Sequence, residues 1–116
     1  MPAIWLEVKF KGKKGEVEAL SLLNSGSDIV VLPKVIANEI SPVHSGRIKV
    51  ELANGKIIKR DAYYIEIEVK NIETGKKRRA KVLATIEKRD YPLIGVAALE
   101  KLKLMLDIVN GKVIFV

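Results

Sequence analysis

At 116 residues the chain is long enough for one compact domain with a real core and too short for two similar lobes, so one domain over 1–116 is expected. Apolar residues make up 48% of it and are spread rather than pooled, and no apolar run approaches the roughly 20 residues that span a bilayer, which points to a globular fold away from the membrane. The absence of cysteine excludes disulfide frameworks, thiolate zinc sites and cysteine nucleophiles, while a net charge of +7 makes acidic partners worth considering. The first ten residues carry no basic segment followed by an apolar core and a cleavage site, so the expected location is cytoplasmic. Abundant Lys, Glu and Ile fit a heat-adapted source.

In chain order, Ile4 to Phe10 alternates apolar and other residues with a period near two, the signature of a strand with one buried face. Gly12 to Gly15 supplies a turn into a second such strand, Glu16 to Leu23, which predicts an opening hairpin. After Asn24-Ser25-Gly26-Ser27, the run Ile29-Val30-Val31-Leu32 suits a strand covered on both faces and stopped by Pro33. Val35 to Ile40 predicts one helical turn, and His44, the single histidine, falls in a polar stretch read as a surface loop. A lone loop histidine makes a serine hydrolase triad a poor fit.

Arg47 to Leu52 and Lys56 to Arg60 flank Ala53-Asn54-Gly55, and Asn-Gly is a strong hairpin signal because both residues tolerate positive φ. Tyr63 to Val69 and Ala80 to Ile86 predict another antiparallel pair around Glu73 to Lys76. The basic run Lys76 to Lys81 has no aromatic interleaved for base stacking and reads as the solvated end of that hairpin, which argues against nucleic acid as a partner. Val96 to Leu102 has helix-forming composition, with Leu99 and Leu102 on one side. Leu104 to Val109 and Lys112 to Val116 flank an Asn110-Gly111 turn. A final strand ending in Val113-Ile114-Phe115-Val116 would be an aggregation-prone edge unless buried in a symmetric dimer or within its own subunit. The predicted class is all-β with one short C-terminal helix.

Two segments carry more. Leu22-Leu23-Asn24-Ser25-Gly26-Ser27-Asp28, followed by the apolar run to Leu32, resembles the active-site segment of the retropepsin-like (retroviral-type) aspartic proteases: two apolar residues, Asp, Thr or Ser, Gly, Ala or Ser, and an apolar strand. Pro92-Leu93-Ile94-Gly95, followed by the helical segment, resembles the family's apolar-apolar-Gly stretch, and the Asn54-Gly55 hairpin lies where the family places its flap. Order and spacing agree from about Trp5 to Phe115. Alone, each piece is an ordinary loop, hairpin or core turn, and Glu73-Thr74-Gly75 shows how readily a short decoy arises.

The resemblance implies a small closed barrel that works as a homodimer, a peptide substrate in extended form, and no metal or organic cofactor. In the family two carboxylates share one proton, one acting as base toward water while the other protonates the peptide carbonyl. Here the carboxylate position is Asn24, and the neighbouring Ser25 and Gly26 would shape the catalytic loop, Ser25 by hydrogen bonding across the dyad axis. Ser27, Asp28, Ala53, Asn54, Gly55, Leu93 and Ile94 fall at substrate-binding positions, with Val30, Leu32, Leu52 and Leu93 expected to line subsites. Gly26 and Gly95 would permit close backbone approach. Asn cannot carry the charge or exchange the proton, so the chain as written is expected to be inactive. A natural pseudoprotease or a deliberate Asp to Asn replacement would give this residue, and the intact surroundings favour the second. The family's acid at Asp28 pairs with an Arg directly after the apolar-apolar-Gly motif, where this chain has Val96. Asp28 is therefore expected to meet another cation or remain solvated.

Overall fold

The structure, a computed structural model, describes residues 3–24, 26–52 and 54–116. Among these it forms nine strands and two short helices: β1 (Ile4–Lys11), β2 (Glu16–Leu23), β3 (Val30–Pro33), α1 (Lys34–Ile40), β4 (Val43–Glu51), β5 (Ile57–Lys70), β6 (Lys77–Glu87), β7 (Leu93–Ile94), α2 (Val96–Lys101), β8 (Leu104–Asp107) and β9 (Lys112–Phe115). Seven strands make one sheet in the order β1-β2-β7-β3-β6-β5-β4, and a further pairing of β1 with β5 returns that sheet on itself. The fold is an all-β barrel, with β4 as an added outer strand and β8-β9 as a separate two-stranded sheet. No helix among the described residues is long and apolar enough to cross a membrane.

Alternation decides which side of each strand is buried. Val8 and Phe10 of β1, Ile65, Ile67 and Val69 of β5, Val82 and Ala84 of β6, and Ile94 of β7 meet in one core with Ile40 of α1 and Leu99 and Leu102 of α2. Each of the larger side chains, Ala84 excepted, contributes about 1.5–3 kcal/mol by leaving water. Val30 and Leu32 have no exposed surface, as their unbroken apolar run predicts for a strand flanked by β6 and β7.

Three features differ from the sequence expectation. Lys56 to Arg60 and Tyr63 to Val69 belong to one fourteen-residue strand, because neither Gly nor Pro interrupts Asp61-Ala62. Its inward set switches there from Ile58, Arg60 and Ala62 to Ile65, Ile67 and Val69, opposite a bulge between His44 and Gly46 of β4. The turn expected over Val35 to Ile40 extends to seven residues. The opening hairpin also packs its tip on the end of α1: Lys13 N–H donates to Ser41 O at 2.9 Å and Lys14 N–H to Ile40 O at 3.0 Å, covering carbonyls the helix leaves free. Gly12 allows this approach, since a Cβ there would run into Ile40 O.

Candidate active site

The segment after β2 is held at both ends by β7 and α2. Leu22 and Leu23 pair in parallel with Leu93 and Ile94, and Val31 pairs antiparallel with Leu93, so the two residues of β7 are threaded between the strands that enter and leave the loop. Asn24 N–H donates to Ile94 O at 2.9 Å, which carries the extended conformation one residue past β2. On the far side, Val96 N–H donates to Ser27 O at 2.7 Å and Ala97 N–H to Asp28 O at 3.2 Å. The loop carbonyls thus accept the first free N–H groups of α2.

Gly95 makes that packing possible. A Cβ there would stand 2.5 Å from Ser27 O, 2.6 Å from Ile29 O and 2.7 Å from Ile29 N. The expected close approach at Gly26 is milder, for a Cβ there would meet only Asn24 Oδ1 at 3.2 Å. Gly26 N–H donates to Asn24 Oδ1 at 2.9 Å. A backbone N–H can only donate, so it fixes the amide oxygen toward the loop, in a place where a carboxylate oxygen would be accepted equally well. Ser27 Oγ donates to Ile29 O at 3.1 Å. Ser25 and Ala53 lie outside the described residues.

The other candidates separate into wall and core. Leu93 is half-buried and shares the side of Leu22, whereas Ile94 has no exposed surface and faces the core. Ile94 therefore backs the loop through its carbonyl and cannot touch a substrate with its side chain. Val30 and Leu32, expected to line subsites, are likewise core residues with no exposed surface, while Leu52 is partly exposed at the turn between β4 and β5. Asp28 is exposed and forms no ion pair among the described residues, consistent with the missing Arg at Val96.

The hairpin of β4 and β5 closes with Gly55 N–H donating to Leu52 O at 2.9 Å and Leu52 N–H to Lys56 O at 2.8 Å. Of Asn54 and Gly55, Gly55 takes a positive φ, 83°. Asn54, expected to share it, instead accepts Lys56 N–H on its side-chain oxygen at 2.9 Å, so its amide closes the turn while its backbone stays in the ordinary region. No hydrogen bond joins Asn54 or Gly55 to the Asn24 loop among the described residues.

The basic run on β6 is divided between two jobs. Arg79 donates Nε to Glu68 at 2.7 Å and holds the Glu68 carboxyl below its usual range, with Lys77 and Lys9 adding to the effect. Arg78 points the other way. It donates to Leu102 O at 3.1 Å, Lys103 O at 2.8 Å and Val116 O at 2.8 Å, and lies 5.2 Å from the Phe115 ring centroid. Nothing in the local sequence distinguishes Arg78 from its neighbours; its partners are 24 to 38 residues away. Among the described residues no cluster of His, Asp and Glu could hold a metal ion. A recess of about 590 Å³ between β1, β2 and the β5-β6 turn contains none of the candidate residues.

No protein-family model matches the chain, and no curated protein does. Solved structures do. EIAV protease complexed with the inhibitor HBY-793 superposes with a TM-score of 0.60 at 15% identity, over 92% of this chain and 94% of that one. The retroviral protease-like domain of Ddi1 from Leishmania major gives 0.53 at 14% identity, over 98% and 90%. The foamy viral protease-reverse transcriptase in complex with RNA/DNA hybrid gives 0.55 at 22% identity over 86% of this chain, which spans only 12% of that one. A parallel-threaded loop at Asn24, the β4-β5 hairpin and a helix capped by the loop's own carbonyls are thus set in a chain that has the fold of the retropepsin-like aspartic proteases.

Proposed function

We propose that this chain is one subunit of a homodimeric aspartic-endopeptidase fold that binds extended peptides and, with Asn24 where a carboxylate belongs, does not cleave them. The observation that carries this reading is the setting of Asn24: its backbone is tied to Ile94 O, and its side-chain oxygen is held by Gly26 N–H. One chain supplies one such group, so a dyad requires a second copy. The exposed cross-strand pair Met105 and Ile114 on β8-β9, with the exposed Val116 beyond it, supports burial of that sheet between subunits.

A pair of amides in place of the dyad has no base for the attacking water and no acid for the carbonyl oxygen. General acid–base assistance alone is worth about 10²–10⁴-fold, and the charge of the dyad is lost as well. The decisive experiment compares the chain with Asn24→Asp on a mixed peptide library from acid to neutral pH. Cleavage by Asn24→Asp and none by the parent is the expected result. No cleavage by either at any pH, together with monomeric sedimentation at high micromolar concentration, would overturn the proposal.

A second reading, a peptide-binding module that has abandoned the chemistry, shares the groove and the dimer. Tight peptide binding by the parent with no gain of cleavage in a dimeric Asn24→Asp variant selects it.

A further inference from the structure

Beside the Asn24 loop stands a stack of three side chains to which the proposed chemistry gives no task. Trp5 pairs in register with Leu22, and Leu22 with Leu93. Residues paired in register share one face of a sheet. The opposite face here is that of Ile4, Leu23 and Ile94, all buried. Trp5, Leu22 and Leu93 therefore form one open row, and Asn24, two residues past Leu22, emerges at its end on the same side.

Trp5 is 40% exposed, and its ring meets Tyr91 edge to face, with centroids 5.0 Å apart. The Arg89 guanidinium lies 4.8 Å from the Tyr91 ring centroid, and its Nε donates to Tyr91 O at 2.6 Å. Stacking and that hydrogen bond fix the plane of the guanidinium. Its two terminal nitrogens make no hydrogen bond or ion pair among the described residues, and the adjacent Asp90 makes no ion pair either. A pre-oriented guanidinium with its fork free matches a carboxylate in two parallel hydrogen bonds, and the ordering cost is already met by the stack. Lys88 next to it and the net charge of +7 reinforce an acidic preference.

We infer that Trp5, Tyr91 and Arg89 form a selectivity element for an acidic side chain in an extended peptide. The inference rests on the peptide-binding reading of the same site. Alternate residues of an extended segment point the same way. A peptide passing Asn24 sets an apolar side chain against Leu22 and Leu93 and, two residues away, a carboxylate on Arg89, with the two aromatic rings as the wall between.

The chain as it stands can be tested, because Trp5 is its single tryptophan and reports occupancy by its fluorescence. The probes are blocked octapeptides centred on Leu-Ala-Glu or Glu-Ala-Leu in an alanine-threonine background, with Gln and Lys counterparts at the acidic position. One acidic peptide should bind about tenfold more tightly than its Gln counterpart, the effect of one charge-assisted contact, and should shift the Trp5 emission. Arg89→Gln should erase the preference and Arg89→Glu should reverse it toward Lys, a reversal that a merely structural stack would not produce. Equal affinity for the Glu and Gln peptides, a retained acidic preference in Arg89→Glu, or no response to any peptide would overturn the inference. Cleavage of a mixed library by Asn24→Asp without acidic selectivity refutes the selectivity element and leaves the endopeptidase reading standing. Selective binding with no cleavage by Asn24→Asp does the converse.

Discussion

Gly95 is where the candidate site and the core share one residue. Its missing Cβ lets three backbone atoms of Ser27 and Ile29 close on the start of α2, and a methyl group cannot fit without moving the loop. Gly95→Ala should therefore cost about 1–3 kcal/mol as an overpacked contact, read as a lower urea midpoint with an unchanged slope. Gly26→Ala should cost less, since its added carbon meets only the Asn24 side chain. The same reasoning shows which site residues were legible. The close approach at Gly95 was readable because it demands a residue without a Cβ. Ile94, Val30 and Leu32, expected on the substrate side, are buried in the core, since apolar character alone does not say which way a side chain points. The unbroken apolar run at Val30 to Leu32 implies cover on both faces, whatever its nearness to Asn24.

At the scale of elements, the hairpins were legible because period-two alternation and turn residues are local signals. β7 was not visible as a strand: it is two residues long and exists through parallel pairing with β2 and antiparallel pairing with β3, both remote in sequence. The turn expected at Asn54-Gly55 joins β4 to β5, but of that pair Gly55 and not Asn54 carries the positive φ. Gly55→Ala should therefore destabilise the turn by about 1–2 kcal/mol, the left-handed penalty for a residue with a Cβ. Faster hydrogen exchange at Leu52 and Gly55, with the β5-β6 amides unchanged, is the expected sign. The β8-β9 turn makes a pH prediction. The side-chain amide of Asn110 at 2.7 Å and its backbone N–H at 3.2 Å hold the Asp107 carboxyl below its usual range. A group that ionises more readily in the folded state stabilises it fully above its unfolded value, near 4, and loses that contribution as pH falls through the lower folded value. Exchange protection of β8 and β9 should decline over that acid range, and Asn110→Ala should flatten the dependence.

At the scale of the whole molecule, the two-stranded β8-β9 sheet lies outside the barrel and must be held to it by side chains and the chain end. Val113 and Phe115 turn inward onto the core, while Met105 and Ile114 face out. The tie at the chain end is Arg78, which gathers carbonyls from the end of α2 and from Val116. Val116 N–H in turn donates to Lys103 O at 3.0 Å. Arg78→Met keeps much of the apolar stem over Phe115 and removes all three donated bonds, leaving carbonyls that lose about 2–4 kcal/mol of charge-assisted hydrogen bonding. The barrel does not depend on those bonds, so its thermal transition should survive while β9 loses exchange protection. If that sheet forms the subunit interface, the variant should also sediment as a monomer at concentrations where the parent is dimeric. Met105→Thr with Ile114→Thr should give the same monomer by a different route, losing the outward apolar pair while β9 stays docked. A dimer that survives both changes would place the interface elsewhere on the barrel, and would require the two Asn24 loops to meet without help from the C-terminal sheet.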